Sequence, residues 1–149
     1  MTELEQRIQR LEDIEAIRVL KARYFHACDR KDTETIKQCF ALGNINIDYG
    51  AIGQFTRRED FLEAYQDMAC HDYIVDMHHG HNAQIEWISP LEAQATWDLY
   101  FHQIDNQSQT HTQLAGFYDD IYQKRNGLWV MVYSKFTVTS SSVTPMPPA

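Results

Sequence analysis

Two groups of side chains, far apart in the sequence, could together perform acid–base chemistry. Tyr24 and Asp29 lie where the first amphipathic segment ends, and a histidine cluster follows at His78, His79 and His81. A carboxylate that turns into a protein interior needs a polar or charged partner, and this cluster offers the best one. An imidazole held by a carboxylate can take up and release a proton near neutral pH. The pattern predicts an acid–base site that requires neither a metal nor an organic cofactor.

A long amphipathic helix, expected from Thr2 or Leu4 to Cys28, must position Tyr24 and Asp29. Apolar residues recur in it every three or four positions, so they form one stripe that should face a core. Tyr24 belongs to the stripe and points inward, whereas Asp29 lies beside it where the helix ends. The members of the stripe are Leu4, Ile8, Leu11, Ile14, Ile17, Leu20, Tyr24 and Cys28.

The rest of the chain predicts two further helices and five strands. Asp32 offers an N-cap for a second helix that ends at Phe40. A capping box from Thr56 to Glu59 opens a third helix, and a short strand of alternating polar and apolar residues, Asn44 to Tyr49, precedes it. The long strands, divided by turn signals, are expected at Tyr73 to Ile88, Leu91 to Ile104, Thr110 to Lys124 and Trp129 to Thr139.

Helices followed by a long antiparallel meander indicate the α+β class, with the helices covering one face of the sheet. The length of 149 residues suits one domain. We expect that domain over residues 1–139 and a flexible tail over residues 140–149, where no hydrophobic pattern remains. One face of the second long strand carries large polar side chains such as Tyr100 and His102. Such a face favours contact with another subunit, so a homodimer or homotrimer is expected.

Charge and hydropathy exclude several classes of partner. The net charge is −8 and basic residues occur only in short pairs, which argues against binding to nucleic acid or an anionic membrane. No apolar run approaches the ~18 residues that a membrane span requires. The first residues are charged and lack the apolar core of an export signal, so the cytoplasm is the expected location. Cys28, Cys39 and Cys70 lack metal-site spacing and are expected to be reduced thiols.

Short motifs occur in a fixed order between residues 11 and 139. They are Ile17-x-x-Leu20-x-x-x-Tyr24-x-x-x-x-Asp29, Asp48-Tyr49-Gly50, His78-His79-x-x-Asn82, Gly116-x-Tyr118-x-Asp120 and Asn126-Gly127-x-Trp129. In this order they resemble the SnoaL-like branch of the NTF2-like superfamily, alongside scytalone dehydratase and the bile acid 7α-dehydratases. The resemblance implies a cone-shaped barrel, in which three N-terminal helices pack in a strongly bent antiparallel sheet.

The resemblance also implies a reaction and the residues that perform it. His78, oriented by Asp29, would remove a proton from a carbon next to a carbonyl group, while two tyrosines donate hydrogen bonds to the carbonyl oxygen. Loss of water or isomerisation would follow, so the expected function is that of a lyase or isomerase with an apolar pocket for a small carbonyl or hydroxyl compound. The implied catalytic residues are Tyr24, Asp29, Tyr49 and His78, and the candidates for substrate contact are Tyr118, Phe25 and Trp97.

Two other functions stay open at this point. One is a non-catalytic ligand-binding or scaffold domain, as in the small subunit of ring-hydroxylating dioxygenases, which shares the fold. The other is a metal site. An extended segment places His79 and His81 on one face and His78 on the opposite face, so a third ligand has to come from elsewhere. Separately from any metal, the resemblance to scytalone dehydratase implies a second histidine in the pocket, for which His102 and His111 are the candidates.

Overall fold

Three helices and a six-stranded sheet make up residues 1–147, the part of the chain that the computed structural model describes. The helices are α1 Glu3–Arg30, α2 Thr33–Gln38 and α3 Arg58–Ala69. The strands are β1 Asn46–Asp48, β2 Gln54–Phe55, β3 Ile74–Ser89, β4 Glu92–Asp105, β5 Thr110–Arg125 and β6 Leu128–Pro145. Within residues 1–147, no helix is both long and apolar enough to cross a membrane.

The strands form one curled sheet that stays open at its edges. Its order is β2-β1-β6-β5-β4-β3, so the four long strands follow one another as an antiparallel meander. The pairing of β1 with β6 is parallel, which the expectation of an antiparallel sheet did not include. The helices pack against the inner face of the sheet, and the predicted α+β class is confirmed.

The core lies between the C-terminal half of α1 and the inner face of the sheet. Residues of β4 alternate, because a strand directs successive side chains to opposite faces. Ala93, Ala95, Trp97 and Leu99 are buried, whereas the residues between them are exposed. This alternation fixes which side of β4 faces α1.

Helix α1 faces the core along part of its length. The first turns leave Leu4, Ile8 and Leu11 exposed, whereas the stripe is buried from Ile17 to Cys28. The spacing of apolar residues determines which side of a helix is hydrophobic, but the extent of the sheet beneath it determines how much of that side is covered. The functional end of α1, which carries Tyr24 and Asp29, is therefore the end that packs against the sheet.

Strand β6 ends at Pro145 rather than at the predicted Thr139. Residues 140–145, predicted to begin a flexible tail, instead pair with residues 110–115 of β5. Their side chains are exposed, because backbone hydrogen bonds to one neighbouring strand hold this segment without an apolar face. Residues 148–149 of the predicted tail lie outside the described residues.

Helix α3 begins at Arg58, and the predicted capping box at Thr56 does not form. Arg57 occupies the N-cap position and makes no capping hydrogen bond through its side chain. The carbonyl of Thr56 accepts a hydrogen bond from the backbone N–H of Ile45 at 2.9 Å. This pairing keeps Thr56 in the extended segment before the helix, so a tertiary contact overrides the local capping pattern.

Candidate functional site

A cavity of about 210 Å³ opens between α1, α3 and the inner face of the sheet. Its apolar wall includes Phe61 and Met68 of α3, Leu99 and Phe101 of β4, and Leu114 of β5. A cavity with such a wall suits a small, largely apolar ligand that carries one or two polar groups. The polar side chains that reach the cavity are Tyr24, Tyr49, Tyr65, Tyr118, Asp76, His78 and Gln103.

The Asp29 carboxylate and the His78 imidazole form a close pair beside this cavity. Oδ1 of Asp29 lies 2.6 Å from Nδ1 of His78. Both carboxylate oxygens also accept the backbone N–H of His78, at 3.0 and 3.1 Å. Asp29, in the last turn of α1, therefore binds the backbone of β3 and fixes the orientation of the His78 imidazole. Since Nδ1 is bound to the carboxylate, Nε2 is the nitrogen left to exchange a proton with a ligand.

Two aromatic rings hold the imidazole of His78. The ring of Phe25 stacks on it with centroids 5.9 Å apart and an interplanar angle of 17°, and Phe101 lies 4.8 Å away. Gly80 leaves the space that Phe25 occupies, because a Cβ there would lie 2.3 Å from Cε2 of Phe25. Phe25 does not line the cavity. The structure thus places this predicted substrate contact against the histidine instead.

Of the other predicted substrate contacts, Tyr118 lines the cavity and Trp97 does not. Trp97 is buried two residues before Leu99 on the same face of β4, and its Nε1 donates to the Tyr122 hydroxyl at 3.2 Å. The alternation of β4 assigned Trp97 correctly to the inner face. The alternation does not indicate how far the cavity extends along β4, and the lining includes Leu99 but stops short of Trp97.

A chain of hydrogen bonds links the two predicted catalytic tyrosines to a buried carboxylate. Ser134 donates through Oγ to Oδ1 of Asp120 at 2.7 Å, which uses its only proton. Ser134 must then accept from the Tyr49 hydroxyl, whose oxygen is 2.8 Å away. The Tyr24 hydroxyl lies at the end of the chain, 3.4 Å from that of Tyr49.

The direction of this chain distinguishes the two tyrosines. Tyr49 gives its proton to Ser134 and has none left for a ligand. The distance of 3.4 Å between the Tyr24 and Tyr49 hydroxyl oxygens exceeds the usual range for O–H···O bonds, so the Tyr24 proton can turn toward a ligand. Burial raises the pKa of both phenols, which keeps them protonated at neutral pH. Tyr24 is therefore suited to donate a hydrogen bond into the cavity.

A buried ion pair anchors this chain at its other end. Nζ of Lys21 lies 2.8 Å from Oδ2 of Asp120, and both side chains are 0% exposed. Burial lowers the pKa of Lys21, while the adjacent Asp120 acts in the opposite direction. Nζ of Lys21 also lies 3.6 Å from the ring centroid of Tyr118, a cation–π contact. Sequence reasoning missed Lys21, although its spacing of four from Ile17 and three from Tyr24 places it on the buried stripe.

Asp76 is a second residue that sequence reasoning missed. It lines the cavity two residues before His78 on β3, and its Oδ1 accepts a hydrogen bond from Nε2 of Gln103 at 2.9 Å. Burial raises the pKa of Asp76 above its ordinary value, while Gln103 and His78 act in the opposite direction. The signal that could have found it is the two-residue period of a strand, which places Asp76 and His78 on one face.

The other histidines of the predicted cluster lie outside the cavity. His79 and His81 are exposed on the outer face of β3. His102 and His111 pack against each other with ring centroids 4.1 Å apart, and neither lines the cavity. Among the 147 residues described, no three His, Cys, Asp or Glu side chains converge as a metal site would require.

The family model of the SnoaL-like domain matches residues 9–135, whereas no curated protein matches the chain. Among solved structures, hexachlorocyclohexane dehydrochlorinase LinA-type3 from Novosphingobium barchaimii LL02 has a TM-score of 0.83 and 16% identity, over 95% of this chain and 99% of that chain. A candidate scytalone dehydratase from Novosphingobium aromaticivorans DSM 12444 has a TM-score of 0.83 and 18% identity, over 95% and 97%. These likenesses confirm the predicted fold.

Proposed function

The chain belongs to the SnoaL-like domain family of NTF2-like proteins, and we propose that it is a lyase or isomerase acting on a small molecule. The observation that carries this proposal is the 2.6 Å contact between Oδ1 of Asp29 and Nδ1 of His78 beside a largely apolar cavity. Two proteins of similar fold are described as a dehydratase and a dehydrochlorinase. Both names denote elimination reactions, which supports the same class of reaction here.

The first step takes place at a carbon next to a carbonyl group. His78 accepts the carbon-bound proton at Nε2, and the electrons of the C–H bond move toward the carbonyl oxygen. The Asp29 carboxylate stabilises the resulting imidazolium through its Nδ1–H. General base catalysis of this kind contributes about 10²- to 10⁴-fold to the rate, and the step needs neither a metal nor an organic cofactor.

Tyr24 stabilises the negative charge that develops on the carbonyl oxygen by donating a hydrogen bond to it. The sequence predicted this role for both tyrosines, but the proton of Tyr49 is directed to Ser134, so Tyr49 acts as a positioning residue. The enolate then has two outcomes. Expulsion of a hydroxyl group from the adjacent carbon is dehydration, and return of the proton to a different carbon is isomerisation.

The proposed substrate is a small apolar compound with a carbonyl or hydroxyl group, as the cavity lining favours. We also propose that a homodimer or homotrimer forms through the outer face of the sheet. Val75 and Met77 of β3 and Tyr100 of β4 are exposed there, and exposed apolar side chains grouped on one face favour contact with another chain. A cytoplasmic location remains a prediction.

Proton exchange and turnover test the proposed function. The probe is 4-phenylbutan-2-one in D2O, whose α-protons are followed by NMR, together with a panel of β-hydroxy ketones and β-hydroxyacyl thioesters. His78→Ala and Asp29→Asn should each lower both rates by about 100-fold or more, with the folded circular dichroism spectrum retained. His79→Ala is the matched control, because it changes the neighbouring histidine on the opposite face of β3.

A binding or scaffold role makes different predictions for the same measurements. The wild-type protein would then neither exchange the α-protons nor eliminate water from any member of the panel. Asp29→Asn and His78→Ala would leave ligand binding unchanged. That combination of results would reject the catalytic proposal and favour the non-catalytic alternative.

A further inference from the structure

Dehydration requires an acid as well as a base, because a hydroxyl group leaves readily only when its oxygen receives a proton. We propose that Asp76 is the general acid that protonates the leaving hydroxyl group while His78 takes the proton from carbon. This inference rests on the proposed function and names a second proton-transfer residue in the same cavity.

Asp76 is the carboxyl group with an oxygen available to a ligand. Both oxygens of Asp29 accept hydrogen bonds from His78, and Asp29 does not line the cavity. Asp120 is also excluded from the lining, and its carboxylate is paired with Lys21 at 2.8 Å. Asp76 lines the cavity directly.

The backbone of β3 directs Asp76 and His78 toward the same ligand. The two residues are separated by one position on the strand, so their side chains project from one face about 7 Å apart. Gln103 faces Asp76 across the β3–β4 ladder and donates from Nε2 to Oδ1 at 2.9 Å. Within residues 1–147, Oδ2 of Asp76 has no hydrogen-bond partner, so a proton carried there can be given to a ligand.

Burial raises the pKa of Asp76, whereas the hydrogen bond from Gln103 and the charge of His78 lower it. Asp29 of α1 adds negative potential, and Tyr65 and Cys70, at the C-terminal end of α3, supply no positive charge. The ammonium group of Lys31, which donates to the backbone carbonyl of His71, also lowers the pKa of Asp76. Burial is the largest of these effects, so the pKa of Asp76 lies above its ordinary value, the direction that a general acid requires.

The proton and electron balance of the step is complete. The proton on Oδ2 of Asp76 passes to the leaving oxygen as the C–O bond breaks, and the enolate electrons form the new C=C bond. Water leaves, with Asp76 now a carboxylate and His78 an imidazolium. Transfer of one proton from His78 to Asp76, through the released water, restores both groups for the next cycle.

A pair of substrates tests this assignment with Asp76→Asn. Dehydration of 4-hydroxy-4-phenylbutan-2-one needs an acid, whereas its acetate ester loses acetate without protonation. The variant should dehydrate the alcohol about 100-fold more slowly than the wild-type protein. Elimination of acetate and α-proton exchange of 4-phenylbutan-2-one should stay within about threefold. Asp76→Glu, which keeps the acid, should retain more dehydration, and Asp72→Asn, which lies outside the cavity, should change none of the rates.

Several outcomes would overturn the assignment. Unchanged dehydration in Asp76→Asn would exclude an acid role, and a parallel loss of all three reactions would indicate a structural role. If the wild-type protein neither exchanges nor eliminates, the proposed function fails instead. Independently of turnover, ¹³C NMR of labelled aspartate, assigned with Asp76→Asn, reports whether this carboxyl is protonated at neutral pH. A chemical shift that shows an ionised Asp76 carboxylate throughout the neutral pH range would also overturn the proposal.

Discussion

The Ser134 hydroxyl donates its single proton to the Asp120 carboxylate at 2.7 Å. This bond determines which way the hydroxyl groups of Tyr49 and Tyr24 donate their protons. Tyr49 must donate to Ser134, which leaves Tyr24 as the hydroxyl that can donate to a ligand. A buried carboxylate outside the cavity thereby determines which of two neighbouring tyrosines is the hydrogen-bond donor inside it.

This direction predicts unequal effects of removing the two hydroxyls. Tyr24→Phe should lower the rate of α-proton exchange of 4-phenylbutan-2-one by about 100-fold, the usual cost of losing a donor to a developing oxyanion. Tyr49→Phe should lower it by less than about 10-fold, because Tyr49 donates to Ser134 and has no proton left for the ligand. NMR in D2O measures both rates. Equal losses, or a larger loss for Tyr49→Phe, would contradict the inferred direction.

The ion pair between Lys21 and Asp120 predicts a large effect on stability. Lys21→Met leaves the Asp120 carboxylate buried without its cation, which should lower the free energy of unfolding by about 3–5 kcal/mol. The double variant Lys21→Met with Asp120→Asn removes both charges and should be more stable than Lys21→Met alone. Urea denaturation followed by circular dichroism measures the three values. Lys135→Met, an exposed lysine of β6, provides the control.

A Lys21→Met variant as stable as the wild-type protein would show that Asp120 accepts a proton at little cost when the lysine is removed. In that case the pair would not be the anchor of the hydroxyl chain. If Lys21→Met is less stable than the wild-type protein, the double variant separates the cost of the unpaired Asp120 charge from a loss of packing, because both variants contain the same methionine.

Local patterns in the sequence predicted the parts of the fold that depend on them. The stripe of α1 placed Tyr24 inside, and the alternation of β4 separated its inner and outer faces. The pairing of Asp29 with His78, across 49 positions, followed from the order of motifs in a known family. Neither periodicity nor composition could establish that contact, because it depends on how α1 crosses β3.

The unpredicted parts of the site depend on contacts between distant polar residues. Lys21 lies on an apolar stripe where a charge is unusual, and its burial makes sense only with Asp120 beside it. Ser134 is one hydroxyl in a long strand and lies 85 positions from Tyr49, so no local pattern indicates that it receives the proton of that tyrosine. Residues 140–145 form a strand because β5 offers backbone partners, which their own side chains do not reveal.

A side chain at position 80 is predicted to displace Phe25, because Gly80 lies directly against that ring. In Gly80→Ala the new Cβ would start 2.3 Å from Cε2 of Phe25, so the ring must move away from its stacked position on His78. We expect a loss of about 1–3 kcal/mol in unfolding free energy together with slower α-proton exchange. Phe25→Leu provides a smaller side chain, and the double variant should recover part of the stability. Strict additivity in this double-mutant cycle would show that the two residues do not interact.

The raised pKa of Asp76 predicts how stability changes with pH. Burial raises this pKa above its ordinary value of 3.8, so the folded protein holds the proton more tightly than the unfolded chain does. In the pH range that starts near 3.8 and ends at the folded pKa, unfolding releases protons, and the free energy of unfolding falls as pH rises. Asp76→Asn removes this contribution.

The stability difference between the wild-type protein and Asp76→Asn should therefore decline as pH rises above 3.8 and then level off. Asp105 supplies a control of opposite sign, because hydrogen bonds from the backbone of Ser108 lower its pKa. The wild-type protein should gain stability over Asp105→Asn as pH rises, and lose it as pH falls through the lowered pKa. Urea denaturation at a series of pH values measures both differences. A difference for Asp76→Asn that increases with pH would mean that the folded protein stabilises the carboxylate, and Asp76 would then be ionised in the cavity.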